Sequence, residues 1–189
     1  MNRTLGFAMC GSFCTLSKAA EQLSALKKLN YDIIPIMSEI VYSTDTRFGK
    51  ASDFISLAEE ICGRKVIHTI TESEPIGPGK LLDALVIAPC TGITLGKLAN
   101  GITDTSVTMA AKSHLRNSRP VIISVSTNDG LSAAARNIGQ LMNCRNIYFV
   151  PLRQDNSEKK PRSVVADFSK IPDCVELALR GVQYQPLLT

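Results

Sequence analysis

The chain has 189 residues, 44% of them apolar and 20% charged, with a net charge of +4. That length and balance suit one globular domain with a substantial core. The mild charge, without Lys/Arg runs interleaved with aromatics, gives no footing to nucleic-acid binding, and apolar runs such as 120–123 are far too short to cross a bilayer.

Residues 1–4 pass straight into a strand-like segment without an h-region or a small-residue cleavage site, so no secretory leader is expected. The six cysteines are scattered and form no CxxC pair, which reads as reduced thiols of a cytosolic protein. Residues 5–9 form a first predicted strand and 33–37 a second. Between them Leu16, Ala19, Ala20, Leu23, Leu26 and Leu29 recur at helical spacing. Phe54, Leu57, Ala58 and Ile61 predict a second helix ended by Gly63. Strands follow over 66–70, 85–88 and 121–125, the last entered from Pro120. Leu131, Ala134, Ala135, Ile138, Leu141 and Met142 predict one apolar helical face, 147–150 a final strand and 174–179 a terminal helix. The polar stretch 153–162 reads as an exposed loop, with a flap or a subunit contact as alternatives. This alternation predicts a single α/β domain over 1–189. Its doubly wound parallel sheet would be covered on both faces, with an exposed loop or flap over 152–163 and a C-terminal segment over 164–189.

Small and hydroxyl residues gather where the strands end. Cys10-Gly11-Ser12-Phe13-Cys14-Thr15 stands between a strand and a helix, where amides, hydroxyls and the helix dipole can hold a phosphate. It is neither a Walker A loop nor GxGxxG, and an ordinary turn with a Ser or Thr N-cap explains it about as well. Ser38, Pro89-Cys90-Thr91 and Ser126-Thr127-Asn128-Asp129 end three further strands. Their coincidence on one edge is the physical case for a polar ligand across the carboxyl ends. His68 is either a packed histidine or a chemical one, and His114, within a helical segment, reads as structural. Cys90 is either a low-pKa thiol or a small buried space-filler. No HExxH, Cys/His cluster or GxSxG elbow supports a metal site or a hydrolase.

Residues 88–94, Ala-Pro-Cys-Thr-Gly-Ile-Thr, with 97–104, Lys-Leu-Ala-Asn-Gly-Ile-Thr-Asp, resemble a longer signature. It is the Pro-Ala-Ser/Thr-Ala-Asn-Thr…Lys-Ile-Ala-x-Gly-x-x-Asp pattern of the flavin-binding decarboxylase-like flavoproteins. That family includes phosphopantothenoylcysteine decarboxylase, peptidyl-cysteine decarboxylases and flavin prenyltransferases. Gly11-Ser12, Ser38 and His68 match further family positions. Residues 66–70, 74–78, 108–112, 126–131, 146–151, 159–161 and 165–168 resemble one branch, which forms a pyridine dicarboxylate in endospore-forming bacteria.

The resemblance implies a flavodoxin-like or Rossmann-like three-layer sandwich binding FMN. It also implies an oxidoreductase role on a small dicarboxylate, beside a nicotinamide-dependent A subunit that carries NAD(P). A homo-oligomer, trimeric or a multiple, in the cytoplasm of a sporulating mother cell follows in the same way. On this likeness Gly11, Ser12 and Phe13 hold the phosphate and Ser38 the ribityl chain or ring. Pro89, Cys90, Thr91, Thr94 and Ser126 line the flavin, and His68 and Asn128 stand near substrate, with His68 as acid or base.

Two departures matter. Ile93 replaces the Asn of the signature, and the Pro-x-Met-Asn-x-x-Met-Trp motif of cysteine-derivative decarboxylation is absent from a chain with no Trp. A non-catalytic assembly protein and an FMN-dependent decarboxylase or flavin prenyltransferase are therefore the alternative readings.

Overall fold

The computed structural model describes residues 3–189. Strand β1 (Thr4–Met9) leads through a 3-10 turn (Phe13–Thr15) into helix α1 (Leu16–Lys28), whose Leu16, Ala19, Leu23 and Leu26 are buried on one face. Strand β2 (Asp32–Met37) is followed by the short α2 (Glu39–Ser43) and by α3 (Ala51–Cys62). Gly63 ends α3 at φ +67, a left-handed conformation that glycine adopts without a Cβ penalty. A capping box closed by Thr69 and Glu72 opens α4 (Ile70–Ser73). Strand β3 (Ala84–Cys90) is buried along its whole length, as befits a strand covered on both faces. Helices α5 (Gly92–Ala99) and α6 (Ser106–Leu115) connect it to β4 (Val121–Thr127). Then come α7 (Ala135–Met142), β5 (Ile147–Phe149), β6 (Leu152–Asn156), β7 (Lys160–Ala166) and α8 (Ile171–Ala178).

Five strands run parallel in the order β2-β1-β3-β4-β5, with α1, α3 and α8 on one face and α5, α6 and α7 on the other. This is the flavodoxin-like doubly wound arrangement that the sequence predicts. The β3–β4 register shifts between Ile87 and Cys90, where the Ala88–Pro89 bond is cis.

Three predicted elements differ. Residues 153–162 are a β-hairpin: β6 and β7 pair antiparallel, and Val164 and Val165 of β7 pair with Thr127 and Ser126 of β4. Only its base carries apolar residues to bury, so its strands stay exposed and give no alternating pattern to read. The strand predicted over 66–70 shrinks to one bridge, Ile36 to Ile67, because the cap at Thr69 turns the chain into α4. The helix predicted from Leu131 starts at Ala135. The Asp129 carbonyl accepts Ser132 N at 2.9 Å and Ala134 N at 3.2 Å, while Leu131 N donates to Arg162 O at 2.9 Å. Leu131 and Met142 are therefore exposed, and Ala134, Ile138 and Leu141 form the buried face.

Candidate functional site

The winding direction of the sheet reverses between β1 and β3, which opens a crevice at their carboxyl ends, the place where open α/β sheets bind ligands. Gly11, Ser12 and Phe13 lie half-buried there. Ser12 makes no side-chain cap, and while Thr15 N donates to Ser12 O and Leu16 N to Phe13 O, the amides that open the turn, those of Phe13 and Cys14, are left to a ligand or solvent. An anion is the ligand that such amides and the helix dipole favour. Ser126 Oγ lies 2.8 Å from Ser12 Oγ and accepts from Thr15 Oγ1 at 3.2 Å, tying the end of β4 to this turn. A Cβ on Gly11 would stand 3.1 Å from Ile40 Cγ2, tight enough to force that side chain aside.

Ser38 ends β2, with its amide donating to Met9 O at 2.9 Å. Its hydroxyl is buried and meets no partner among the described residues. A buried hydroxyl left unpaired costs free energy, so a ligand that bonded it would recover that cost. Beside it Glu39 Oε1 accepts Ser106 N at 2.8 Å, and Ser106 Oγ donates to Met37 O at 2.7 Å, which locks the end of β2 to the start of α6.

Thr91 caps α5: its Oγ1 accepts Thr94 N at 3.2 Å and lies 3.0 Å from Thr94 Oγ1. A Cβ on Gly92 would come within 2.7 Å of both Thr127 Oγ1 and Asp129 Oδ1, which are themselves hydrogen-bonded. Only glycine lets the turns after β3 and β4 approach this closely. Pro89 and Cys90 are buried, Cys90 completely, and Pro89 O accepts Cys10 N at 3.1 Å, so the two form the floor beneath the crevice. Burial pushes the Cys10 thiol up to about 11 and the Cys90 thiol well above its ordinary value. Cys90 is thus the small space-filler and not an activated thiol.

His68 stands in the loop beyond β2, its ring stacked on Tyr42 with centroids 3.7 Å apart and planes 6° from parallel. Glu72 Oε2 accepts His68 N and Thr69 N, each at 3.0 Å, and these bonds, the one from His68 first, hold its carboxyl below the usual range. Asn128 is exposed on the turn after β4. His68 follows the Ile67 bridge on the outer edge of β2 and Asn128 follows β4, so the two flank the crevice from opposite sides with β2, β1 and β3 between them. His114 is buried with Nε2 3.1 Å from Pro120 O, and burial brings its imidazole down to about 4, as suits a structural residue.

The structure thus gathers Gly11, Ser12, Phe13, Ser38, Thr91, Thr94 and Ser126 along one edge and leaves His68 and Asn128 on its flanks. Sequence reasoning missed Tyr42, which has no local signal. It also missed Glu72, although Thr69-x-x-Glu72 is a readable capping pattern. The Thr127–Asp129 pair against Gly92 is visible only once the two turns meet.

Residues 1–178 match the model described as Flavoprotein, and the chain belongs to this family. It is 41% identical over 186 residues to the B subunit of dipicolinate synthase from Bacillus subtilis (strain 168), covering 98% of this chain and 93% of that protein. The crystal structure of the dipicolinate synthase B subunit from Bacillus halodurans C superposes with a TM-score of 0.91 at 42% identity, covering 100% of this chain and 98% of that one. AnUbiX (PadA1), solved with FMN and dimethylallyl pyrophosphate, shares the fold with a TM-score of 0.63 at 23% identity, over 80% of this chain and 78% of that one.

Proposed function

We propose that this chain is the FMN-binding component of a dipicolinate synthase. It would act with the synthase's A subunit, which carries NAD(P), to form dipicolinate (pyridine-2,6-dicarboxylate) from the product of dihydrodipicolinate synthase during sporulation, in the mother-cell cytoplasm. The near full-length likeness to two dipicolinate synthase B subunits carries the reading. The residues fit FMN: an uncapped turn at Ser12 for the phosphate, and an unpaired, buried Ser38 hydroxyl beside it.

FMN bound there supplies a two-electron acceptor, which aromatising a dihydropyridine dicarboxylate requires. Gly11, Ser12 and Phe13 bind the phosphate, and Ser38 bonds the ribityl chain or ring. Thr91, Thr94 and Ser126 line the cofactor, with Pro89 and Cys90 packed beneath it. His68 moves a proton at the substrate, and Asn128 orients it. With β2, β1 and β3 between them, His68 and Asn128 are separated by four strand spacings, roughly 19 Å at about 4.8 Å each. One substrate meeting both residues therefore needs a second copy of the chain, which supports a homo-oligomer with the flavin at the interface between copies. Ile93, 74% exposed in the first turn of α5, offers that interface an apolar contact in place of an amide.

Ile93 also favours the second reading, an assembly protein that supports the A subunit without turnover. Combining the purified chain with the A subunit, NAD(P) and the product of dihydrodipicolinate synthase, and following dipicolinate by its ultraviolet absorbance, separates the two. The flavin reading predicts that full rate needs this chain loaded with FMN. Full rate with the chain kept free of FMN would contradict it and leave the assembly role.

A further inference from the structure

Beside the crevice, a carboxylate, an imidazole and a phenol are packed in a way that the proposed chemistry does not by itself require. The imidazole of His68 lies flat on Tyr42, 3.7 Å between centroids and 6° from parallel, so the ring cannot flip without leaving its platform. Its Nδ1 is buried and has no hydrogen-bond partner of good geometry among the described residues. The charged oxygen it faces is Glu72 Oε2, at 3.4 Å, within reach but off the hydrogen-bond axis. That oxygen is not free to wander, because it accepts the amides of His68 and Thr69 at 3.0 Å each. The same two bonds keep the carboxylate ionised at neutral pH.

We infer that Glu72 and Tyr42 are positioning residues for His68: the Glu72 carboxylate keeps the proton of the neutral imidazole on Nδ1, and the Tyr42 ring fixes its plane, so that Nε2 is the free lone pair. A buried Nδ1–H facing a carboxylate at 3.4 Å is stabilised by its charge, whereas a bare Nδ1 lone pair facing it is repelled. The Tyr42 platform holds the ring plane and opposes the rotation that would put Cδ2, in place of Nδ1, opposite Glu72. Nε2 is then the atom that accepts a proton in any acid–base step. The use of that lone pair in turnover rests on the function proposed above. The tautomer itself does not.

The chain has two histidines, which makes the test direct. His114 is an internal reference, because its Nε2 must carry the proton to donate to Pro120 O at 3.1 Å. Long-range proton–nitrogen correlation spectra of the 15N-labelled full chain, near pH 8.5 and about two units above the ordinary imidazole value of ~6.5, report both tautomers. The His68→Asn variant assigns the signals. The expected result is His114 protonated on Nε2 and His68 on Nδ1.

Glu72→Gln is the diagnostic variant, because glutamine keeps the capping box and removes only the charge. It should move the His68 population toward Nε2–H while the His114 signals and the melting temperature stay in place. Wild-type His68 protonated on Nε2, or a His68 tautomer unchanged in Glu72→Gln, would overturn the inference. In the reconstituted reaction, Glu72→Gln should lower kcat by on the order of tenfold or more with KM little changed, as loss of an orienting carboxylate does where the tautomer matters. A shifted tautomer with unchanged kcat would leave the positioning intact and refute instead the role of His68 in the proposed reaction.

Discussion

Ser38→Ala is expected to have opposite effects on the empty and the FMN-loaded protein. The Ser38 hydroxyl is buried, with the residue 8% exposed, and bonds no group among the described residues. Its removal sacrifices no helix cap, since the side chain makes none at the start of α2. A buried hydroxyl without a partner costs about 1–3 kcal/mol, and the cavity left by one oxygen is small, so the flavin-free variant should be about 1 kcal/mol more stable than wild type. For a chain of this size that is a rise in Tm of roughly 2–4 °C. With FMN the hydroxyl acquires its partner, and its loss should weaken binding by about 1.4 kcal/mol, roughly tenfold in Kd. Urea unfolding of the flavin-free proteins and fluorescence titration with FMN measure the two quantities. A flavin-free variant destabilised by about 1 kcal/mol or more, or an FMN affinity unchanged by the substitution, would refute the placement of this hydroxyl against the cofactor.

Gly92→Val should destabilise the fold by about 1–2 kcal/mol in urea unfolding, because its side chain displaces the Thr127–Asp129 pair, and at the first position of α5 valine gains little helix propensity over glycine to offset that. Burial holds the His114 imidazole at about 4 in the folded protein, against ~6.5 in the unfolded chain. Above pH ~6.5 it is neutral in both states; as pH falls from there the unfolded chain takes up the proton first, so about 3 kcal/mol of stability is lost by pH ~4, and His114→Gln should flatten the unfolding curve over this window. Of the six cysteines, Cys14 and Cys144 are exposed while Cys10, Cys62, Cys90 and Cys174 are buried, so a thiol reagent should modify two in the native protein and six after denaturation; fast reaction at Cys90 would contradict its burial.

The parallel sheet was legible because its strands are continuous apolar runs, such as Leu85-Val86-Ile87-Ala88, separated by helical periodicity. The hairpin was not legible, because its strands are polar and held by main-chain pairing to β4 at Ser126 and Thr127, a contact with no local trace. The same division runs through the site. Gly11, Ser12, Ser38, Thr91 and Ser126 are small polar residues just past predicted strand ends, and strand topology brings them to one edge. Tyr42 under His68, and Gly92 against Asp129, depend on how two loops fold toward each other. Residue spacing does not encode that approach. Cys90 divides the two cases: its place at the strand end was readable, but the direction of its side chain, into the core, was not.

The central claim is that the carboxyl edge of this sheet holds FMN, and the most direct measurement is a titration of the purified, flavin-free chain with FMN, followed by flavin fluorescence and the visible spectrum. The account predicts saturable binding of one FMN per chain, with a perturbed flavin spectrum and weaker binding in Ser38→Ala. A chain that stays colourless and leaves the fluorescence of added FMN unchanged would contradict it.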